Sequence, residues 1–158
     1  ELLSGNVSIL EACRAVGGTK GIDCNNADTR INNCTVIGAT VGIAATTANT
    51  ATCKNNAVYN CGTDWSGTWS GTYTNNASED ATHPGTSGVT ISGDPFDADG
   101  YTPASSGQLD GAGVDLSISL DAANNSFNAT PSIGAYESIS VGGAIIPAGS
   151  HSLLGMGI

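Results

Sequence analysis

Apolar positions in the first half of the chain follow no helical stripe; they return in blocks. Residues 10–22 read LEACRAVGGTKGI, residues 31–43 read INNCTVIGATVGI, and residues 53–65 read CKNNAVYNCGTDW, with block starts 21 and 22 residues apart. A weaker fourth copy, YTNNASED, begins 20 residues later at Tyr73. Superposed, the blocks align Leu10 with Ile31 and Cys53, Cys13 with Cys34, and Ala15 with Val36 and Val58. Gly21 then meets Gly42, Ile22 meets Ile43 and Trp65, and Asn33, Asn56 and Asn76 fall at or beside one turn position. Small and β-branched residues interrupted by Gly and Asn predict short strands joined by tight turns. Helix is expected for a turn or two at most, near residues 8–15.

A period of 20–22 residues built from short strands has a physical consequence. One coil of that length cannot bury its inner face, whereas stacked coils bury a continuous one. Equivalent residues then lie one strand spacing apart, about 4.8 Å. Aliphatic side chains form ladders inside, and Asn ladders form at corners, where the side chain bonds local backbone and tolerates a left-handed conformation. Leucine-rich repeats have a similar period but require an L-x-x-L-x-L skeleton, which these blocks lack. The expectation is an all-β chain, a single-stranded parallel β-helix of about four coils over residues 1–93.

Beyond residue 77 the repeat fades into turns rich in Asp, Gly and Pro. Three elements stand out in order: DPFDADGY at 94–101, SSGQLDGAG at 105–113 and PSIGAYE at 131–137. Together with the NNCTV and KNNAVYNC coils, this order resembles the C-terminal part of right-handed parallel β-helix proteins of the bacterial-surface and phage-virion type. Those proteins end in a D-P-x-F-x-D…D-Y element, a small-residue stretch closing on Asp-x-Gly, and IGAYE. The chain departs from them at SSGQLDGAG, where the family more often carries Ser-Pro. The resemblance implies a right-handed coil and a structural role, and says little about activity. Residues 94–137 are expected to form an irregular cap, with Phe96, Tyr101, Leu109 and Tyr136 lying over the exposed end of the apolar core. Asp94, Asp97, Asp99 and Asp110 would accept backbone N–H bonds in its turns. Residues 138–158, apolar and Gly-rich, are expected to dock on the chain itself or on a neighbouring copy.

Charge narrows the function. Four Lys and Arg residues face fourteen Asp and Glu, a net charge of −10. Arg14, Lys20, Arg30 and Lys54 all lie in the first third of the chain. A nucleic-acid surface needs clustered cations, so neither nucleic acid nor anionic lipid is an expected partner, and no apolar run long enough to insert in a membrane occurs. The chain opens abruptly on ELLSGNVSIL, as the middle of a longer or processed protein would. Five cysteines (Cys13, Cys24, Cys34, Cys53 and Cys61) form no C-x-x-C pair, and with two His the spacing does not suit zinc. Cys13, Cys34 and Cys53 occupy ladder positions and are expected as buried, reduced thiols.

Candidate chemistry is sparse. A polysaccharide lyase needs a base beside carboxylates, and the Asp-rich segment contains neither Lys nor Arg. A glycosidase needs two carboxylates roughly 5–10 Å apart, for which Asp94, Asp97 and Asp99 are the available acids. The same loop is a place for structural Ca²⁺, although it lacks the D-x-[DN]-x-[DN]-G-x₅-E spacing. Trp69 and Tyr73, in the stretch GTDWSGTWSGTY, are the aromatics able to stack on a sugar ring; Trp65 reads as core. His83 and His151 stand in no nucleophile pattern. Sequons at Asn6, Asn33, Asn76, Asn124 and Asn128 arise from composition. No catalytic residue and no cofactor is assigned. The expectation is a non-enzymatic structural protein of a phage virion (capsid decoration, tail fibre or spike), homotrimeric and bound to other virion proteins. The alternatives are an extracellular glycan-binding or glycan-processing module, with Trp69, Tyr73, Asp94, Asp97 and Asp99 as its contacts, or a bacterial surface adhesin.

Overall fold

The computed structural model of the chain describes residues 8–49 and 52–139. Among them are twelve strands and no helix. The first coil contains β1 (Ile9–Glu11), β2 (Arg14–Val16) and β3 (Lys20–Cys24). The second contains β4 (Arg30–Asn32), β5 (Thr35–Ile37) and β6 (Val41–Asn49), and the third β7 (Thr52–Lys54), β8 (Ala57–Tyr59) and β9 (Thr63–Trp69). β10 (Thr72–Thr74) and β11 (Ala77–Ser78) open a further turn, and β12 (Val89–Thr90) pairs beyond β11. All named strands pair in parallel and stack into three walls, β1-β4-β7-β10, β2-β5-β8-β11-β12 and β3-β6-β9. The chain is therefore a parallel β-solenoid of three complete turns. The helical turn expected near residues 8–15 is replaced by β1 and β2, because each pairs with the coil below it.

The registers reproduce the block alignment. Leu10, Ile31, Cys53 and Tyr73 form one column, Ala15, Val36 and Val58 a second, and Ile22, Ile43 and Trp65 a third. These columns meet in one apolar core in which Ile31, Val36, Ile43, Cys53 and Val58 are fully buried. Close packing of walls leaves no room at Gly42, where a Cβ would overlap Val58 Cγ1 and lie 2.6 Å from the Asp64 carbonyl oxygen.

The corner between the first two walls is built from two Asn positions. Ala12, Asn33, Asn55 and Asn75 share a left-handed backbone, with φ between 49° and 57°, a conformation that Asn tolerates better than most residues. One residue on, Asn56 and Asn76 continue the column of Cys13 and Cys34 and point inward. Asn56 Oδ1 accepts the Cys34 amide at 2.9 Å while its Nδ2 donates to the Ile31 carbonyl at 2.8 Å. Asn76 repeats this one coil down, its Oδ1 accepting the Asn56 amide at 3.1 Å and its Nδ2 donating to the Cys53 carbonyl at 2.8 Å. Corner groups that the strands leave unpaired are thus satisfied inside the stack.

Two segments cover the solenoid, and the expected capping role is divided between them. Residues 79–88 close its C-terminal end. Asp80 Oδ2 accepts the Asp64 amide at 3.4 Å, the Thr82 hydroxyl accepts the Trp65 amide at 3.3 Å, and Thr86 pairs with Thr74 at the edge of β10. Residues 91–138, which include the 94–137 segment expected across that end, instead lie against the outer face of the second wall. Ile91, Phe96, Leu109 and Ile133 form a second apolar cluster with Ala57 and Ala77, flanked by Ile37 and Tyr59. The physical reason is that β5 and β8 carry apolar residues on both faces, Ala77 of β11 extends the outer set, and that set also needs cover. Residues 140–158, which hold most of the tail expected to dock, lie outside the described residues.

Candidate functional site

The sequence-predicted contacts fall into two separate groups. Trp65, Trp69 and Tyr73 form an edge-to-face series, with ring centroids 5.3 Å and then 5.7 Å apart. Tyr73 is buried in its ladder column, and its hydroxyl oxygen accepts the amides of Ser70 at 3.0 Å and Gly71 at 2.5 Å. Trp69 is half-buried and packs against the core. Tyr73, the fourth member of the Leu10 column, is thus taken up by the core, and Trp69 stands half-exposed at its edge.

The aspartates belong to the flank over the second wall. Asp94 Oδ1 accepts the Phe96 amide at 3.1 Å. Asp99 accepts the amides of Tyr101 and Thr102 at 3.0 and 2.9 Å, and the Thr102 hydroxyl at 2.6 Å. Burial works to raise the Asp99 carboxyl, yet the hydrogen bonds from Thr102 and Tyr101, with the nearby Arg14 charge, hold it below the ordinary value. The backbone of Asp97 closes the same turn, its amide on the Thr102 carbonyl and its carbonyl receiving Gly100 N–H, both at 2.8 Å. Among the described residues, no three His, Cys, Asp or Glu side chains form a group that could hold a metal ion.

Folding brings a cation from outside the Asp-rich segment near one of these acids, Asp99. Arg14, on the outer face of β2, places its guanidinium 4.1 Å from the centre of the Tyr101 ring and 5.8 Å from that of Tyr136. The two rings are 4.7 Å apart. Arg14 and the DPFDADGY turn are 80 or more residues apart in the chain, so linear proximity gave no sign of the pairing.

Each residue of the IGAYE element has a task in docking the flank. Ile133 is buried in the outer cluster. Gly134, at φ +123°, donates its amide to the Asn55 carbonyl at 2.8 Å, and a Cβ there would stand 2.7 Å from Thr35 Oγ1. Ala135 donates its amide to that same Thr35 hydroxyl at 2.8 Å. Tyr136 stacks near Arg14. Glu137 is buried, and its carboxylate accepts the Ser132 hydroxyl at 2.6 Å and the amides of Ser132, Asn128 and Ser138 at 3.1 to 3.2 Å. Asp121 is tied to this network through the Glu137 amide, at 3.0 Å. Asn55 and Asn75 receive the flank from the solenoid side. Asn55 exchanges bonds with the Val114 backbone at 2.7 and 2.9 Å, and Asn75 donates to the Ala112 carbonyl at 2.8 Å.

Two further features carry unassigned chemistry. A cavity of about 300 Å³ is lined by Asn125, Ser126, Asn128, Glu137, Ser138 and Ile139. Both Glu137 oxygens there are already engaged by inner donors. At the closed end of the stack, Asp64 is buried, and its Oδ2 accepts the amides of Glu79 at 2.7 Å and Asp80 at 3.3 Å, while its Oδ1 meets no partner. Burial pushes its carboxyl up to about 6, opposed by those amides and reinforced by the Asp80 and Glu79 charges. Asp64 escaped the sequence reading because it stands one residue before Trp65 in a block read for its apolar positions.

No family model matches the chain, and no curated protein or solved structure matches it either. No helix among the described residues is long and apolar enough to cross a membrane.

Proposed function

We propose that the chain is a non-catalytic structural module, a rigid β-solenoid that supports assembly or attachment in a phage virion, in the manner of a decoration, fibre or spike domain. One observation carries the reading: most of the acids placed where catalysis could use them, Asp97 excepted, are engaged in architecture. Asp94, Asp99, Asp121 and Glu137 each accept backbone amides that hold the flank in shape, and Asp64 does the same for the end cover. Parallel ladders bond every coil to the next, and a net charge of −10 gives the outside an acidic, soluble surface. The partners of such a module are copies of itself, as a homotrimer, and other virion or surface proteins.

The rival, a polysaccharide-processing or glycan-binding module, has one observation in its favour: Arg14 lies beside Asp99, with Tyr101 and Tyr136 next to it. One experiment separates them. The protein is incubated with acidic and neutral polysaccharides, with and without Ca²⁺, and assayed for reducing ends and unsaturated products, while sedimentation measures its oligomeric state. Absence of products with a defined homo-oligomer supports the structural reading. Products that disappear in Arg14→Ala and Asp99→Asn would replace it with the rival.

A further inference from the structure

We infer that Cys13 and Cys34 form a thiol–disulfide exchange site on the first two coils, with Cys13 as the attacking sulfur and Cys34 as the resolving one. Three observations place them in these roles. They occupy equivalent positions on adjacent coils, since Thr35 N–H bonds the Cys13 carbonyl at 2.9 Å and Arg14 pairs with Thr35. Adjacent parallel strands hold Cα atoms about 4.8 Å apart, inside the span of roughly 4.4–6.8 Å that a disulfide bridges. Cys13 is exposed, its Sγ donating to the Glu11 carbonyl at 3.2 Å, and Cys34 is fully buried beside it, its Sγ donating to the Asn32 carbonyl at 3.3 Å.

The electrostatics follow the geometry. The neighbouring Cys34 side chain favours the Cys13 thiolate and brings its pKa down to about 6, against burial and the neighbouring Glu11 carboxylate, which raise it. The Cys34 thiol is pushed up, by its interaction with Cys13 and then by its own burial. Cys24 and Cys53 are also buried, with thiols raised chiefly by burial, and Cys61 is half-buried and raised for the same reason. Cys13 alone combines exposure with thiolate character, the two properties that make a cysteine reactive.

The reaction uses a low-molecular-weight disulfide such as oxidised glutathione. The Cys13 thiolate attacks one sulfur, forming a mixed disulfide and releasing one glutathione thiolate. That thiolate, or solvent, takes the Cys34 proton. Cys34 then attacks the Cys13 sulfur, forming the Cys13–Cys34 bond and releasing the second glutathione. Two protein thiols are oxidised and one glutathione disulfide is reduced to two thiols, so atoms and electrons balance. The product staples the first coil to the second.

The test is mass spectrometry after incubation with oxidised glutathione at neutral pH. The expected result is loss of two hydrogens and a tryptic cross-link joining the fragment ending at Arg14 to the fragment spanning residues 31–54, with fragmentation assigning Cys34 rather than Cys53. Cys34→Ser should stop at a glutathione adduct on Cys13, and Cys13→Ser should give neither product. Iodoacetamide labelling of the wild type supplies a readout independent of those variants. Cys13 should label at least about fivefold faster than Cys61 at slightly acid pH, with a midpoint near pH 6. A Cys13 midpoint at or above pH 8, a mixed disulfide that persists in the wild type, or cross-linking only between molecules would overturn the assignment.

Discussion

Replacing Asn56 by Ala tests whether the inward Asn ladder holds the corners together. The side chain is fully buried and serves two backbone groups from different residues, the Cys34 amide at 2.9 Å and the Ile31 carbonyl at 2.8 Å. Its Nδ2 also donates to Asn76 Oδ1 at 3.0 Å. Truncation orphans the amide and the carbonyl with no water to replace the lost partner. Each buried orphan costs about 1–3 kcal/mol, and the void left by the amide group adds roughly 1 kcal/mol. The expected loss is therefore about 3–7 kcal/mol, a large share of the stability of a domain this size.

Asn56→Asp separates hydrogen bonding from shape. It is isosteric and keeps an oxygen for the Cys34 amide, but it turns the donor toward Ile31 and Asn76 into an acceptor facing two other oxygens. If shape were enough, the variant would behave as wild type; on the hydrogen-bonding argument it loses as much as the Ala variant, and more as pH rises and the carboxylate ionises. Urea unfolding followed by circular dichroism gives the global loss, and hydrogen exchange at the Cys34 amide gives the local one. A loss under about 0.5 kcal/mol in either variant, or unchanged protection at that amide, would refute the reasoning.

Three further outcomes are expected. Asp64→Asn should stabilise the protein above pH 6 and leave it unchanged near pH 4: a carboxyl raised from 3.8 to about 6 in the fold binds its proton more tightly when native, so its stabilisation is present at low pH and lost as pH rises through 6. The difference at neutral pH should be on the order of 1–2 kcal/mol after solvent screening, read from thermal melts of both proteins across that range. Arg14→Ala removes the contact over Tyr101 and should loosen the flank by about 1 kcal/mol, seen as faster proteolytic cleavage within residues 94–137 and unchanged hydrogen exchange in the Ile43 column. Gly42→Ala forces a methyl group against Val58 and the Asp64 carbonyl and should cost about 1–3 kcal/mol in urea unfolding.

The solenoid was legible because each rung imposes the same surroundings on the same position. Leu10, Ile31 and Cys53 occupy one environment three times over, so the chemistry repeats and the period shows through three different residue types. The Asn corner was half legible. Asn33 belongs with Asn55 and Asn75 on the left-handed position, whereas Asn56 and Asn76 stand beside it and replace the cysteines of the upper coils. The flank was not legible as a flank, because Ile91, Phe96, Leu109 and Ile133 follow the irregular path of their turns and have no common spacing. A signal for it did exist in the walls. Thr35 and Ile37, Ala57 and Tyr59, and Ala77 sit on the outer face of the second wall, where a solvated surface would carry charged residues. Strands apolar on both faces require cover on both, and that argument, applied to the repeats, would have placed the C-terminal third beside the stack.

Lateral docking changes what the C-terminal segment does for the molecule. A cap over the end touches only the last coil, and the short cover of residues 79–88 already fills that place through Asp80, Thr82 and Thr86. The flank instead reaches every coil: Arg14 in the first meets Tyr101 and Tyr136, Thr35 in the second bonds Ala135, Asn55 in the third bonds Val114 and Gly134, and Asn75 in the turn below bonds Ala112. In a solenoid without such a strap, each coil contacts only its neighbours, so the stack can fray coil by coil from either end. With the strap, separating any one coil also breaks that coil's contacts with a segment held by the other three. Cooperativity that the repeat alone lacks is thereby supplied by the segment that does not repeat, and mechanical rigidity across the whole stack, the property on which the structural reading depends, follows from it.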